Sequence, residues 1–211
     1  MDEQPRTSHD VPSLLNTIRA CRICRDEPWQ PSNQLPHEPR PIVRASATAR
    51  VVIIGQAPGR KVHESGVPWD DASGARLRTW LGMTAEQFYD EAQVAIVPMG
   101  FCYPGKAKSG DAPPRKECAP TWHDPLMSLL PADRLTILIG RYAQQRYLPQ
   151  AGSSVTQAVG RWAEFLPATI VLPHPSPRNI GWFKANPWFE QETIPAVQAR
   201  MAQLTDGITR G

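Results

Sequence analysis

The stretch from Val51 to Gly59, V-V-I-I-G-Q-A-P-G, is a short apolar run that a glycine-containing loop ends abruptly. Its four consecutive β-branched residues predict a strand that is buried on both faces. In open α/β sheets, ligands bind at the loops that leave the carboxyl ends of the strands. Gly55 and Gly59 allow a close backbone approach, and Pro58 restricts the turn. The loop is therefore a candidate binding element, with an ordinary strand-to-loop turn as the alternative.

Three further apolar runs resemble this strand, and segments with helical periodicity lie between them. Because strands alternate with helices, the sequence predicts a three-layer α/β/α fold around a central, mainly parallel four-stranded sheet. The three runs are 94–98, 135–139 and 169–172. Helices are predicted over 11–20, 73–81, 84–91, 116–130, 141–148 and 187–201, with another short one inside 153–165. Asp10 and Ser73 are the expected caps of the first two, and T-A-E-Q at 84–87 resembles a capping box. The segment 63–71 has no periodicity and is expected to be irregular.

The 211 residues are enough for one domain with a large core. We expect a flexible N-terminus over 1–9, a single domain over 10–205 and a flexible C-terminus over 206–211. Prolines number 23, about twice the usual share, and five of them fall between Glu27 and Arg44. These prolines predict long, ordered loops rather than disorder.

Charge and hydropathy narrow the class of partner. A net charge of +3 permits a nucleic-acid partner without requiring one. No apolar stretch approaches the roughly 18 residues of a membrane span. The N-terminus M-D-E-Q-P-R also lacks the basic and apolar regions of a secretory signal. We expect a cytoplasmic monomer with no membrane partner.

The four cysteines form a second pattern. Cys21 and Cys24 make a C-x-x-C pair, and Cys102 and Cys118 follow much later in the chain. In a chain without a secretory signal, such cysteines favour a metal site over disulfides. Thiolates suit an iron-sulfur cluster or a structural zinc ion, and the spacing does not separate the two. Unrelated buried thiols with a redox-active C-x-x-C are the remaining alternative.

A polar loop follows the last predicted strand. The sequence H-P-S-P-R-N, 174–179, places an imidazole, a hydroxyl, a guanidinium and an amide within six residues. Because prolines stand at 173, 175 and 177, His174 and Ser176 are presented rigidly. A structural hydrogen bond from the histidine is the alternative to a functional site here.

Together, G-Q-A-P-G at 55–59, H-P-S-P-R-N at 174–179 and the four cysteines resemble the uracil-DNA glycosylase superfamily. The resemblance covers roughly residues 21–201. The cysteines, with G-V-P-W at 66–69, resemble the iron-sulfur, thermostable-type subgroup. The second motif is more similar to that of the single-strand-selective monofunctional uracil glycosylases. The resemblance implies a uracil-DNA glycosylase-like fold and a 4Fe-4S cluster held by the four cysteines.

The implied activity is that of a monofunctional glycosylase, which extrudes uracil from DNA and leaves an abasic site for base-excision repair. By resemblance, His174 hydrogen-bonds the O2 atom of uracil and stabilises the leaving base. The loop containing Gly55, Gln56 and Ala57 meets the base through backbone N–H groups. Trp69 stacks on the flipped base, with core packing as its alternative role.

The first departure from the family concerns water activation. Ala57 stands where the most active relatives carry a carboxylate. Gln56 stands where members of the iron-sulfur subgroup carry one. Glutamine orients water but does not accept a proton at neutral pH. The nearby candidates to replace the carboxylate are His63, Glu64, Asp70 and Asp71, of which Glu64 and Asp70 are favoured.

A second departure concerns base recognition. Relatives read the uracil edge with an asparagine upstream of the third cysteine, but the matching region, 97–102, has no amide side chain. We expect backbone groups of Met99 and Gly100 to read the base and Phe101 to shape the pocket, with Asn179 as a distant substitute. A backbone readout discriminates weakly, so other deaminated or oxidised bases are expected substrates.

We expect Ser176 to contact DNA phosphates, together with the basic residues Lys106, Lys108 and Arg115. The alternative for these three residues is that they only form a solvated basic loop. Residues 178–180 follow the histidine where relatives insert a wedge into the duplex, and Arg178 is expected as wedge or phosphate contact.

Two other functions remain open from the sequence. One is a binding module that recognises uracil or abasic sites without cutting, which Ala57 favours. The other is a hydrolase that uses the same loops on free nucleosides.

Overall fold

The computed structural model describes residues 10–208. The flexible N-terminus expected over 1–9 falls outside that range, as do residues 209–211 of the flexible C-terminus expected over 206–211. Four strands form one sheet in the order β2-β1-β3-β4, and every neighbouring pair is parallel. Helices cover both faces, so the predicted three-layer α/β/α fold is confirmed. The strands are β1 (Val51–Ile54), β2 (Val94–Ile96), β3 (Leu135–Ile139) and β4 (Thr169–Leu172).

The helices lie between and around these strands. They are α1 (Val11–Arg19), α2 (Ile23–Asp26), α3 (Arg60–Ser65), α4 (Ala72–Leu81), α5 (Ala85–Tyr89), α6 (Cys118–Ser128), α7 (Gly140–Tyr147), α8 (Val155–Gly160), α9 (Trp162–Phe165), α10 (Ile180–Ala185) and α11 (Ile194–Ile208). A π-helical segment, Phe189–Thr193, leads into α11. The sequence did not predict α2, α3 or α10. Within the described range, no helix is long and apolar enough to cross a membrane.

Strand β1 is the centre of the core, as its four β-branched residues predict. Val51 and Ile53 belong to the apolar cluster on one face of the sheet, together with residues of α4 and α11. Val52 and Ile54 belong to the cluster on the other face, together with residues of α1 and α6. All four are at most 5% exposed, and burying each contributes about 1.5 to 3 kcal/mol.

The strand order creates a crevice beside β1. The chain passes from β1 to β2 on one side and then crosses to β3 on the other side of β1. Because the connections leave the sheet in opposite directions, the loops at the carboxyl end of β1 separate at this point. The G-Q-A-P-G loop therefore opens into a crevice rather than into a packed turn.

Side-chain caps fix where several helices begin. Asp10 accepts a hydrogen bond from the Ser13 N–H at 2.9 Å and starts α1, as predicted. Thr84 and Gln87 form the predicted capping box of α5. The predicted cap of α4 was wrong: Asp71 caps this helix, accepting from the Gly74 N–H at 2.8 Å, and Ser73 lies inside it.

The segment 63–71 was expected to be irregular, but its start belongs to helix α3. Gly66, with φ 77°, ends this helix in the left-handed conformation. The Arg40 guanidinium donates to the carbonyl oxygens of His63 and Glu64, which otherwise lack partners at the helix end. A cap supplied from a distant loop leaves no periodic signal in the helix itself.

A buried histidine joins α6 to the end of β2. The His123 side chain is fully buried, with Nε2 2.9 Å from the Pro98 carbonyl oxygen and Nδ1 2.7 Å from the Tyr147 hydroxyl. A carbonyl only accepts, so Nε2 carries the proton and Nδ1 accepts from Tyr147. Burial lowers the pKa of His123 to about 4.

His123 should make the protein sensitive to acid. The unfolded chain binds a proton on this residue near pH 6.5 and the folded chain near pH 4, so stability is lost as pH falls between these values. Between pH 7 and pH 5, wild type should lose about 2 kcal/mol more unfolding free energy than His123→Gln. Urea denaturation at both pH values measures this difference. Equal losses in the two proteins would contradict it.

Candidate functional site

A cavity of about 530 Å³ lies at the carboxyl edge of the sheet, within the size range of small-ligand sites. The loops that follow β1 and β4 form much of its wall. Four predicted site residues that follow β1 line the cavity: Gly55, Gln56, Ala57 and Trp69. Four predicted site residues that follow β4 also line it: His174, Ser176, Arg178 and Asn179. The fold thus brings together two motifs that are more than 100 residues apart.

The loop after β4 fixes both the orientation and the protonation of His174. The Ser176 N–H donates to His174 Nδ1 at 3.2 Å, and the Asn179 side-chain amide donates to the His174 carbonyl oxygen at 2.7 Å. Since Nδ1 accepts, the proton of the neutral ring is on Nε2. Burial lowers the pKa of His174, and the nearby carboxylates of Asp71 and Asp111 only partly oppose this. The ring is therefore a neutral hydrogen-bond donor at pH 7.

Trp69 lines the cavity and has a constrained backbone conformation. Its ring centroid lies 5.7 Å from that of His174, and its backbone has φ 59°, which is uncommon for an aromatic residue. A Cβ atom on Gly55 would lie 2.8 Å from the Trp69 ring, and one on Gly74 would lie 1.8 Å from the Trp69 carbonyl oxygen. Two glycines therefore make room for the indole and for its turn.

The segment after β2 supports the first loop instead of reading a ligand. The Met99 N–H donates to the Gly55 carbonyl at 2.9 Å, and the Gly100 N–H donates to the Gln56 carbonyl at 3.0 Å. Because both N–H groups are engaged, they do not offer the backbone readout that the sequence suggested. Phe101 is 1% exposed and stacks on His123, so it does not line the cavity either.

The two carboxylates favoured from the sequence lie outside the cavity. The Glu64 side chain is 62% exposed and pairs with Arg60 at 3.7 Å on the outer side of α3. Asp70 is exposed and does not line the cavity. The acidic residues that do line it are Asp71 and Asp111. The unpredicted α3 accounts for Glu64, because a helix turns that side chain away from the crevice.

Asp111 comes from a hairpin that the sequence did not predict. Lys106 and Asp111 form an antiparallel bridge, and the Ala107 N–H donates to the Gly110 carbonyl at 2.9 Å. The turn crosses to the loop after β4, where the Arg178 guanidinium lies against Gly110. The S-G-D sequence at 109–111 signals a turn, but no local pattern shows that the turn folds back onto the cavity.

Basic residues border the cavity, although not all of those predicted. Lys106 and Lys108 are exposed on the hairpin, and Arg178 is exposed on the loop after β4 that contacts it. Arg115 instead donates to the Pro104 carbonyl at 2.9 Å and lines the cavity beside the cysteines. Ile180, at the start of α10, is 46% exposed and follows the second motif directly.

The four cysteines line a second cavity, between the N-terminal helices, the loop after β2 and the start of α6: Cys21, Cys24, Cys102 and Cys118. The Phe101 N–H donates to Cys118 Sγ at 3.2 Å, and the Arg40 backbone N–H bonds to Cys102. Burial raises the pKa of Cys24 to about 11 and that of Cys102 to about 12. Within residues 10–208, however, no three His, Cys, Asp or Glu side chains are placed to hold a single metal ion.

Comparison with known families identifies a match that covers most of the chain. Residues 43–198, about three quarters of the chain, match the family model described as the Uracil DNA glycosylase superfamily. The matched region contains β1 to β4 and both loop motifs. It does not include Cys21 and Cys24, which precede it.

The glycine at 74 should be required for the Trp69 turn. Gly74→Ala should lower the unfolding free energy by about 1 to 3 kcal/mol, because the new methyl group overlaps the Trp69 carbonyl oxygen. Gly160→Ala is the matched control, since nothing lies within 4 Å of its added Cβ atom in α8. That control should be neutral or stabilising by up to about 1 kcal/mol. Urea denaturation compares the two, and a Gly74→Ala protein as stable as wild type would refute the constraint.

Proposed function

Because the chain belongs to the uracil DNA glycosylase superfamily, we propose that it is a monofunctional glycosylase that removes uracil from DNA and leaves an abasic site for base-excision repair. The observation that supports this most is the neutral His174 ring, which carries its proton on Nε2 and lines the cavity beside Trp69. Such a site needs an extruded nucleotide, because a base inside the duplex does not reach it.

His174 would act on the leaving base. Breaking the N-glycosidic bond leaves negative charge on the base, and the Nε2–H would donate to the O2 oxygen where part of this charge develops. A neutral donor fits this role, because it does not transfer a proton prematurely and is strengthened by its buried surroundings. Removal of one such donor typically costs a factor of about 10² to 10³ in rate.

Trp69 and the first loop would hold the base itself. Stacking of an aromatic side chain on a base is worth about 1 to 3 kcal/mol and tolerates different bases. The backbone of Gln56 and Ala57 lies on the same cavity wall. Met99 and Gly100 have their N–H groups engaged, so the base edge meets few dedicated donors. We therefore include hypoxanthine, xanthine and hydroxymethyluracil among the substrates.

The rim would bind the DNA strand. Lys106, Lys108 and Arg178 are exposed and would neutralise phosphates near the cavity, and Ser176 would contact a phosphate through its backbone and hydroxyl. Arg178 lies against the hairpin at Gly110, whereas Ile180 is an exposed apolar side chain. We therefore assign the wedge that fills the vacated space to Ile180 and a phosphate contact to Arg178.

We also propose that the four cysteines hold a 4Fe-4S cluster, as in the iron-sulfur subgroup. Four thiols around one cavity, two of them accepting backbone N–H bonds, fit the donor set of such a cluster. The cluster would be structural, fixing α1 and α2 to the loop after β2.

The proposed activity is tested by incubating the protein with single- and double-stranded oligonucleotides that carry one uracil, then cleaving abasic sites with alkali. Strand breaks at the uracil are expected, with slower breaks at hypoxanthine, xanthine and hydroxymethyluracil. His174→Ala should reduce the uracil rate by about 10²-fold or more, because the donor to the leaving base is lost.

Asp133→Ala is the control, since this exposed side chain pairs with Arg50 and does not line the cavity. Tight binding of uracil-containing DNA without any strand break would contradict catalysis and favour the binding-module alternative. Cleavage of uracil alone would contradict the broad base range.

The cluster proposal predicts a brown protein. Freshly purified protein should show a broad absorption band near 400 nm, and Cys102→Ser should lose both this band and its iron. Iron and sulfide analysis should give about four of each per chain. A colourless protein with one bound zinc ion would overturn the assignment.

A further inference from the structure

We propose that Asp111 is the carboxylate that activates water for attack on the sugar. This inference rests on the proposed glycosylase function and assigns the step that the first motif leaves without a base. Ala57 has no proton acceptor, and Gln56 does not accept a proton at neutral pH. The acceptor must therefore come from another part of the cavity wall.

Two carboxylates line the cavity, and one of them already has a structural role. Asp71 accepts the Gly74 N–H at 2.8 Å as the cap of α4. That bond fixes the turn in which Gly74 abuts the Trp69 carbonyl. Asp71 therefore fixes the turn that positions Trp69 in the cavity wall.

Asp111 is placed on the side where the sugar must lie. If the base occupies the cavity under Trp69, the sugar to which it is bonded remains near the mouth, where the strand continues. Asp111 is exposed at this mouth, and its Oδ2 would lie 3.5 Å from a Cβ atom on Gly59, at the end of the first loop. Its carboxylate also acts electrostatically on His174, so the two groups face one cavity.

A buried phenol orients the Asp111 carboxylate. Tyr103 is only 8% exposed, and burial together with the neighbouring Asp111 carboxylate raises the pKa of its phenol. The Tyr103 ring also stacks on His37, with ring centroids 5.6 Å apart, which fixes its position. Asp111 is thus a base held in place by a third group, the arrangement that activates nucleophiles in many enzymes.

The chemistry balances without a co-reactant. The water oxygen bonds to the sugar C1′ as the bond between C1′ and the base nitrogen breaks. The electron pair of the broken bond leaves with the base. The proton of the attacking water passes to Asp111, which later returns it to solvent or to the departed base. His174 stabilises the base anion at the opposite end of the same reaction. The products are an abasic sugar and the free base.

Single-turnover excision from a uracil-containing duplex tests the assignment. Asp111→Asn should lower the rate by about 10²-fold or more, whereas its affinity for a duplex with a tetrahydrofuran abasic analogue should stay within about threefold of wild type. Tyr103→Phe should lower the rate by about tenfold with unchanged affinity, because the carboxylate loses its orientation. Added formate should partly restore Asp111→Ala, as a mobile carboxylate replaces the missing one.

Asp133→Asn is the matched control, because this exposed carboxylate pairs with Arg50 at the opposite end of the sheet. If wild type excises uracil and Asp111→Asn is as fast, the inference fails while the proposed function stands. If Asp71→Asn alone slows the reaction without weakening DNA binding or folding, Asp71 takes this role instead. If wild type releases no base, the proposed function fails and the inference falls with it.

Discussion

One backbone hydrogen bond, from the Ser176 N–H to His174 Nδ1, sets what the cavity does chemically. It forces the neutral ring to carry its proton on Nε2, and burial keeps the ring neutral by lowering its pKa. The prolines of H-P-S-P-R-N and the Asn179 amide hold the loop in the conformation that this bond requires. A charged or rotated imidazole in the same place would offer a different donor to a leaving base.

The position of Trp69 in the cavity wall depends on a steric constraint. The indole of Trp69 occupies space that a side chain at Gly55 would fill, and its carbonyl occupies the space beside Gly74. The positive φ of Trp69 is held by the Asp71 cap of α4 on one side and by the first loop on the other. Backbone strain of this kind is typically retained where it positions a functional group.

Patterns within short stretches of sequence predicted the sheet, the Asp10 and Thr84 caps and both loop motifs, because burial and capping leave local signals. The misplaced groups all depend on distant contacts. Glu64 points outward because Arg40 completes a helix end from another loop, and Met99 is engaged because pairing continues past β2. Asp111 reaches the cavity only because a hairpin folds back onto Arg178. No periodicity encodes such contacts.

The central claim is that His174 is a neutral Nε2–H donor, and nitrogen NMR of the ¹⁵N-labelled imidazole tests it most directly. The account predicts that Nδ1 is unprotonated and Nε2 protonated at pH 7, and that the ring becomes cationic only below the usual histidine pKa. A ring protonated on both nitrogens at pH 7, or one protonated on Nδ1 alone, would contradict it.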